Sequence, residues 1–440
     1  MRQSFSLTIL FGALLLLVNN TAMAENLKSI YALAEANDPQ FRAARAAYMA
    51  EDEASYQAWA AVLPQLSGSI HKTDTSGKDT QPENAGATDY TSEGYSLNLT
   101  QTIYSHGKFA QISQASAVSA QAMAKFNYAQ QELVLRAAER YFDVLAAQDN
   151  LAFTRAEKQS IAHQLKQTQQ RFNVGLTAIT DVHEAQARYD QSVAQDIAAE
   201  NKLAISREVL REMTGKDHAE LTSLQENTPL LEPNPTDVNE WVKTALLNNF
   251  LLLASRESVE AAYAGISKAR AGHYPNLDFV ASKVYNDIDA GAGRTREKEE
   301  TVLSLQLSMA IFNGGAVMSQ SREAGYRHQQ SKEILEQTRR ATERQARNSF
   351  LSVHANISQV KALKQALASS ETALKATTAG FKVGTRTTVD VLDSQRDLFR
   401  AKLNYALARY EYIKETLRLK LAAGTLSKQD LNAINSWLGS

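Results

Sequence analysis

Apolar and polar residues alternate one by one over two stretches of this chain and recur every seven residues over two others. In residues 90–103, Tyr95, Leu97, Leu99 and Ile103 alternate with Ser96, Asn98, Thr100 and Thr102. In residues 301–311, Leu303, Leu305, Leu307, Met309 and Ile311 alternate with Ser304, Gln306 and Ser308. A period of two puts one row on each face of a sheet. Both stretches are therefore predicted strands with one apolar face and one small, polar face. Residues 66–75 and 277–286 alternate more weakly and are their predicted partners. Each of these partners follows a proline, Pro64 or Pro275. Proline cannot extend a helix and biases its predecessor to extended geometry, so both are read as helix-to-strand switches. The connectors 76–89 and 287–299 are polar and rich in glycine or charge, as exposed loops are.

The rest of the pattern is helical. Residues 26–62 are alanine-rich and predict one helix despite Pro39, and 237–272 predict its counterpart. His106-Gly107 and Asn313-Gly314-Gly315 are read as strand ends. Residues 108–173 contain neither glycine nor proline, and 316–379 only Gly325. At 1.5 Å per residue each run makes a helix about 100 Å long, too long for a compact globule. Residues 182–214 and 389–423 predict returning helices half that length, ending at Gly215 and Gly424. They carry matching heptads: Val182, Tyr189, Asp196, Leu203, Leu210 in one, and Val391, Leu398, Tyr405, Tyr412, Leu419 in the other. A period of seven predicts coiled-coil packing. Two half-length helices stacked end to end would match one long helix.

The order of elements runs twice, through 25–228 and 229–440, with a proline-rich linker at 216–235 and a helical or mixed tail from 425. The two hairpin turns show the repeat most clearly. Arg171-Phe172-Asn173-Val174-Gly175 leads into Asp181-Val182, and Gly380-Phe381-Lys382-Val383-Gly384 into Asp390-Val391. Glycine supplies the positive φ of a tight turn, and threonine and aspartate supply oxygens to cap the helix that restarts.

Composition narrows the function classes. Met1–Ala24 has a basic start at Arg2, an apolar core at 7–18 and a small-x-small cleavage site at Ala22-Met23-Ala24, which predicts a secretory signal. Beyond it no apolar run is long enough to cross a membrane as a helix. Without Arg2 the 47 basic residues become 46 against 48 acidic ones, so no basic excess points to nucleic acid. The chain has no cysteine, and its eight histidines are scattered without ligand spacing, so no metal site is expected. No nucleophile elbow, phosphate loop or dinucleotide fingerprint is present, so neither an enzyme nor a cofactor is expected.

Two strands per half make four per chain, and four strands cannot close a barrel. An open edge in lipid leaves unpaired backbone groups at several kcal/mol each, so copies must join. Two copies give eight strands, and three give twelve with room for a water path. The competing function is a structural coiled-coil spacer or adhesin of the envelope, which needs no lumen.

The turn Phe381-Lys382-Val383-Gly384-Thr385-Arg386-Thr387-Thr388-Val389-Asp390-Val391-Leu392-Asp393 resembles the TolC family of outer-membrane channels. So do Arg171 to Gly175 with Ala178 to Val182, and Gly424-Thr425-Leu426-Ser427-Lys428-Gln429-Asp430-Leu431. The resemblance covers essentially the whole chain after the signal. It implies an α+β membrane protein, mostly α, built from an internal duplication. It implies a homotrimer with a 12-stranded barrel in outer-membrane lipid, continued by a 12-helix tunnel through the periplasm. It also implies export of small toxic compounds or secreted polypeptides. The expected partners are a periplasmic adaptor and an inner-membrane transporter of the ABC, RND or MFS type, which open the tip.

The candidate site residues lie at that tip. Asp390 and Asp393 are three apart on one helix and project to the same side. They are expected to ring a narrow entrance and favour cations, with some pKa values raised by crowding. The alternative is that they only complement the helix dipole. Arg386 matches the arginine with which the family holds the tip shut, and Thr180 and Asp181 match its acceptors. Phe381 departs from the family's usual tyrosine and removes one hydroxyl from that latch. Val174-Gly175 and Val383-Gly384 are either adaptor-docking surfaces or tight turns only.

Overall fold

In the computed structural model the chain is described at residues 25–79, 86–87, 89–289 and 295–439. The predicted signal, the tips of both strand connectors and the final residue lie outside these.

The chain begins with α1 (Leu27–Asn37) and α2 (Pro39–Ala60), not with one helix. Pro39 drives Asp38 out of helical geometry, to ψ 117°. Asp38 then caps α2, its carboxylate accepting from the amides of Gln40 and Phe41, while Pro39 takes the first helical position. The second half also has two helices, α5 (Val238–Asn248) and α6 (Phe250–Arg270), where one was expected. No proline marks this break. Asn249 makes it by capping the amides of Leu251 and Leu252.

Pro64 and Pro275 stand immediately before β1 (Gln65–Thr75) and β5 (Asn276–Asp289). With β4 (Tyr90–Ser105) and β6 (Thr295–Ser308) these form one antiparallel sheet in the order β1-β4-β5-β6. The connector between β1 and β4 holds the small pair β2 (Lys78–Asp79) and β3 (Gly86–Ala87). β6 begins six residues before the predicted 301 and stops at Ser308, so Met309 and Ile311 lie beyond the strand. Polar residues 295–299, expected in a loop, pair with 285–289 of β5.

Register aligns the apolar rows. Leu66 faces Leu99, Leu99 faces Ala281, and Ala281 faces Leu303. Among the described residues this face is left uncovered: Ile70 is 89% exposed, Leu66 72% and Leu307 69%. At one end of it the rings of Tyr95 and Tyr285 stack 5.5 Å apart. Among the described residues β1 and β6 each have one edge with no strand beside it.

Two long helices leave the sheet, α3 (His106–Asn173, 68 residues) and α7 (Ala316–Lys382, 67 residues). α3 starts directly after β4, and His106 and Gly107 belong to the helix rather than ending the strand. α7 starts only after residues 309–315, where Gly314 and Gly315 have φ of 60° and 82°. Returning helices α4 (Ile179–Thr214) and α8 (Thr388–Ala422) pack on α3 and α7. α2 covers more of α3, and α6 packs on both long helices. The ends meet at the two breaks. Asn37 donates its side-chain amide to the carbonyl of Thr214 at 3.0 Å, and Asn249 donates to that of Ala422 at 3.0 Å. Each returning helix thus has a last carbonyl satisfied by the asparagine that flanks the break.

The main core lies where α1, α3, α8 and the end of α4 converge, around Leu27, Tyr141, Phe142, Leu210, Tyr412 and Ile413. The tail is not loose. Its helix α9 (Lys428–Asn435) inserts Leu431 and Ile434 into this core, and Leu438 bridges to Leu224 of the linker. A smaller core, Ile161, Leu165, Ala185 and Leu392, holds the helices together near the two hairpin turns. Among the described residues no helix is long and apolar enough to cross a membrane.

Candidate gate at the hairpin tips

Both hairpins turn by the same backbone device. After α3, the amide of Gly175 bonds the Phe172 carbonyl and that of Leu176 the Arg171 carbonyl. After α7, Gly384 bonds Phe381, and Thr385 bonds Gly380. These paired bonds around a glycine at φ 77° or 81° form a Schellman motif, which needs the left-handed conformation glycine adopts freely. Val174 and Val383 take the C-cap positions inside the motif, with side chains 70% and 75% exposed. Hydrogen bonding thus accounts for the two glycines as turn residues, and leaves Val174, Leu176 and Val383 in solvent.

The helices restart differently. Thr387 accepts from the amide of Asp390, whose carboxylate accepts from the amide and hydroxyl of Thr387, a complete capping box. In the sister turn Ala178 takes the cap position and offers no side-chain bond. Thr177 instead donates its hydroxyl to Asp181. The expected side-chain cap therefore exists only in the second turn.

The expected tip residues occupy distinct positions. Asp390 is half-buried, and the Thr387 bonds, with the nearby Arg386 charge, hold its carboxyl below the usual range. Within one chain this is opposite to the rise expected of crowded carboxylates. Asp393 lies one turn on and is ion-paired with Arg188 of α4 and Arg396 of α8. Arg386 is exposed and folds back over Gly380, where an added Cβ would stand 2.8 Å from its Cγ. It forms no hydrogen bond or ion pair with Thr180 or Asp181 of the same chain. Phe381 is buried, and the guanidinium of Arg171, from the other hairpin, lies 4.9 Å from its ring centroid. A ring without a hydroxyl can join the hairpins in this way, through cation–π attraction.

Arg171, Arg188 and Arg396 were not singled out in the sequence. Arg396 could have been, as an i, i+3 partner of Asp393 on one helix. The other two meet their partners only because the hairpins pack side by side. Further from the tip, α3 and α8 are joined by Glu139 with Arg418, Asp143 with Lys414, and Asp149 with Tyr410. Burial raises the Asp149 carboxyl, and the Tyr410 hydroxyl donates to it at 2.7 Å. Among the described residues no His, Asp or Glu cluster could hold a metal ion.

Sequence comparison matches the family described as Outer membrane efflux protein over residues 30–216 and 241–425. Outer membrane protein TolC of Escherichia coli is 38% identical over 98% of this chain and 89% of its own length. TolC of Vibrio cholerae is 36% identical over 98% of both chains. The alkaline protease secretion protein AprF of Pseudomonas aeruginosa is 29% identical, over 97% of this chain and 90% of its own. Among solved structures, the Campylobacter jejuni CmeC outer membrane channel superposes with a TM-score of 0.79 at 14% identity, covering 94% of this chain and 90% of that one.

Proposed function

The chain belongs to the outer membrane efflux protein family, and from that premise we propose that it forms a trimeric duct through the outer membrane and periplasm, closed at the hairpin tips. The family places it in the outer membrane as an efflux and secretion channel. The finer reading rests on one observation above all: a four-stranded sheet with a bare apolar face and two free edges, continuous with helices about 100 Å long. In lipid the edges must be paired, and three copies supply twelve strands around a bore wide enough for water. Six hairpins would then line the tunnel below. The duct is passive. A periplasmic adaptor and an inner-membrane ABC, RND or MFS transporter would supply the energy and engage the exposed valines at the tips. Small toxic compounds or secreted polypeptides are the proposed cargo.

Purified protein in detergent should have the mass of three chains and give discrete conducting steps in a planar lipid bilayer. A single chain that never enters lipid would overturn the duct. A trimer that inserts without conducting would favour the envelope spacer.

In the closed tip the proposed latch is Arg386 with Thr180 and Asp181 of the neighbouring hairpin, a bond that Arg386 does not make within its own chain. Arg386→Ser should then raise single-channel conductance several-fold, and an unchanged conductance would remove Arg386 from the latch. Asp390 and Asp393 face the entrance. Replacing both with alanine should lower the cation-to-anion permeability ratio, read from reversal potentials in a salt gradient, and an identical ratio would reject the acidic ring.

A further inference from the structure

The two acidic residues of the tip differ in the positive charge around them. Asp390 is spent on its own capping box, accepting from the amide and hydroxyl of Thr387, with the Arg386 charge nearby but not ion-paired to it. Asp393 meets two arginines on one oxygen. Arg188 Nη2 comes from α4 and Arg396 Nη1 from one turn further along α8, each 3.2 Å from Asp393 Oδ1. Arg396 also stands 3.6 Å from Asp397. Asp393, Asp397, Arg188 and Arg396 thus form one ion-paired cluster, and Glu157 of α3 also feels the Arg396 charge.

We propose that Arg188 is a selectivity-determining residue of the channel: it crosses from the first hairpin to the second and, with Arg396, cancels the charge of Asp393, leaving the cation preference of the entrance to Asp390. The proposal rests on the reading that the two aspartates face the entrance. Charge is what the position supplies. The pair is half exposed, at 31% and 40% of the side chains, and exposed pairs add little to folding. A pore, in contrast, responds to each uncancelled charge at its narrowest ring, and a trimer repeats it three times. Arg188 is also the one ion pair between α4 and α8 among the described residues, so its loss removes a tie between hairpins as well as a charge.

Arg188→Gln removes one positive charge from the cluster per chain and leaves Asp393 paired with Arg396 alone. In planar bilayers its cation-to-anion permeability ratio should rise at least twofold above that of the unaltered protein, and its conductance should rise too. Adding Asp393→Asn to Arg188→Gln should bring the ratio back. If Arg188→Gln does not assemble, Arg396→Gln removes the other cation from the same oxygen and carries the same expected rise. A ratio that does not rise in whichever variant assembles, or a rise that Asp393→Asn fails to reverse, overturns the proposal. The Asp390→Ala, Asp393→Ala protein separates the two levels of the reading. If it shifts the ratio and Arg188→Gln does not, only the role of Arg188 falls. If neither shifts it, the acidic entrance falls with it.

Discussion

Gly424→Ala should destabilise the protein by about 2–5 kcal/mol, the sum of about 1–2 for a left-handed alanine and about 1–3 for forced overpacking. Gly424 ends α8 at φ 71° and lies against the break between α5 and α6. A Cβ there would sit 2.3 Å from the Asn248 carbonyl oxygen and 2.8 Å from the Asn249 amide nitrogen. Both are backbone atoms, so no side chain can swing aside. The same junction holds the Asn249 bond to Ala422, and the bonds from Gln131 to the carbonyls of Gly424 and Leu426. Gly215 is the internal control. It ends α4 at φ 73°, but the nearest atom to its Cβ would be Asn37 Cβ at a comfortable 3.7 Å. Gly215→Ala should therefore cost only the conformational part, about 1–2 kcal/mol. Thermal unfolding of the detergent-solubilised proteins checks the difference, and equal losses would show that the contact with Asn248 carries no weight.

The second large effect is expected at Asp38, which is 3% exposed. Its carboxylate caps α2 and pairs with Arg136 of α3, whose Nε is buried without a partner. Removing one member of a buried pair strands the other, at about 3–5 kcal/mol, and loss of a cap adds about 1. The Arg136 side chain keeps 20% of its exposure, so the lower end applies, and Asp38→Ala should cost about 4 kcal/mol in all. Asp38→Asn keeps a capping oxygen but loses the charge, so it should recover only the smaller share. If Asp38→Asn is as stable as the unaltered protein, the ion pair contributes nothing and the residue is a cap alone.

The sequence was legible where a single period ran without interruption. α3 occupies His106–Asn173 because no glycine or proline lies where it would break the ladder, and β4 follows its alternating row from Tyr90 to Ser105. Legibility failed where a tertiary contact outweighed the local pattern. Asn248-Asn249 offers an N-cap but sits inside an otherwise unbroken helical run, and the carbonyl of Ala422, 173 residues away, holds the Asn249 side chain at the break. β6 begins among charged residues because they lie opposite β5, and pairing outweighs composition. At the tip, the Schellman glycines and the Thr387–Asp390 box were readable from spacing. The links from Arg171 to Phe381 and from Arg188 to Asp393 were not, because they join positions about 200 residues apart on adjacent hairpins.

The two strand-to-helix junctions differ in a way that bears on motion. Ser105 passes straight into His106, so α3 and β4 form one stiff shaft anchored in the sheet. Residues 309–315, with two left-handed glycines, separate β6 from α7, so no continuous hydrogen-bonded element couples the two. Rotation of α3 would drag the sheet with it, whereas α7 can turn and leave β6 in place. If the tip opens as proposed above, the arm expected to swing is the one that carries Arg386, Asp390 and Asp393, and the other arm supplies the surface they would release.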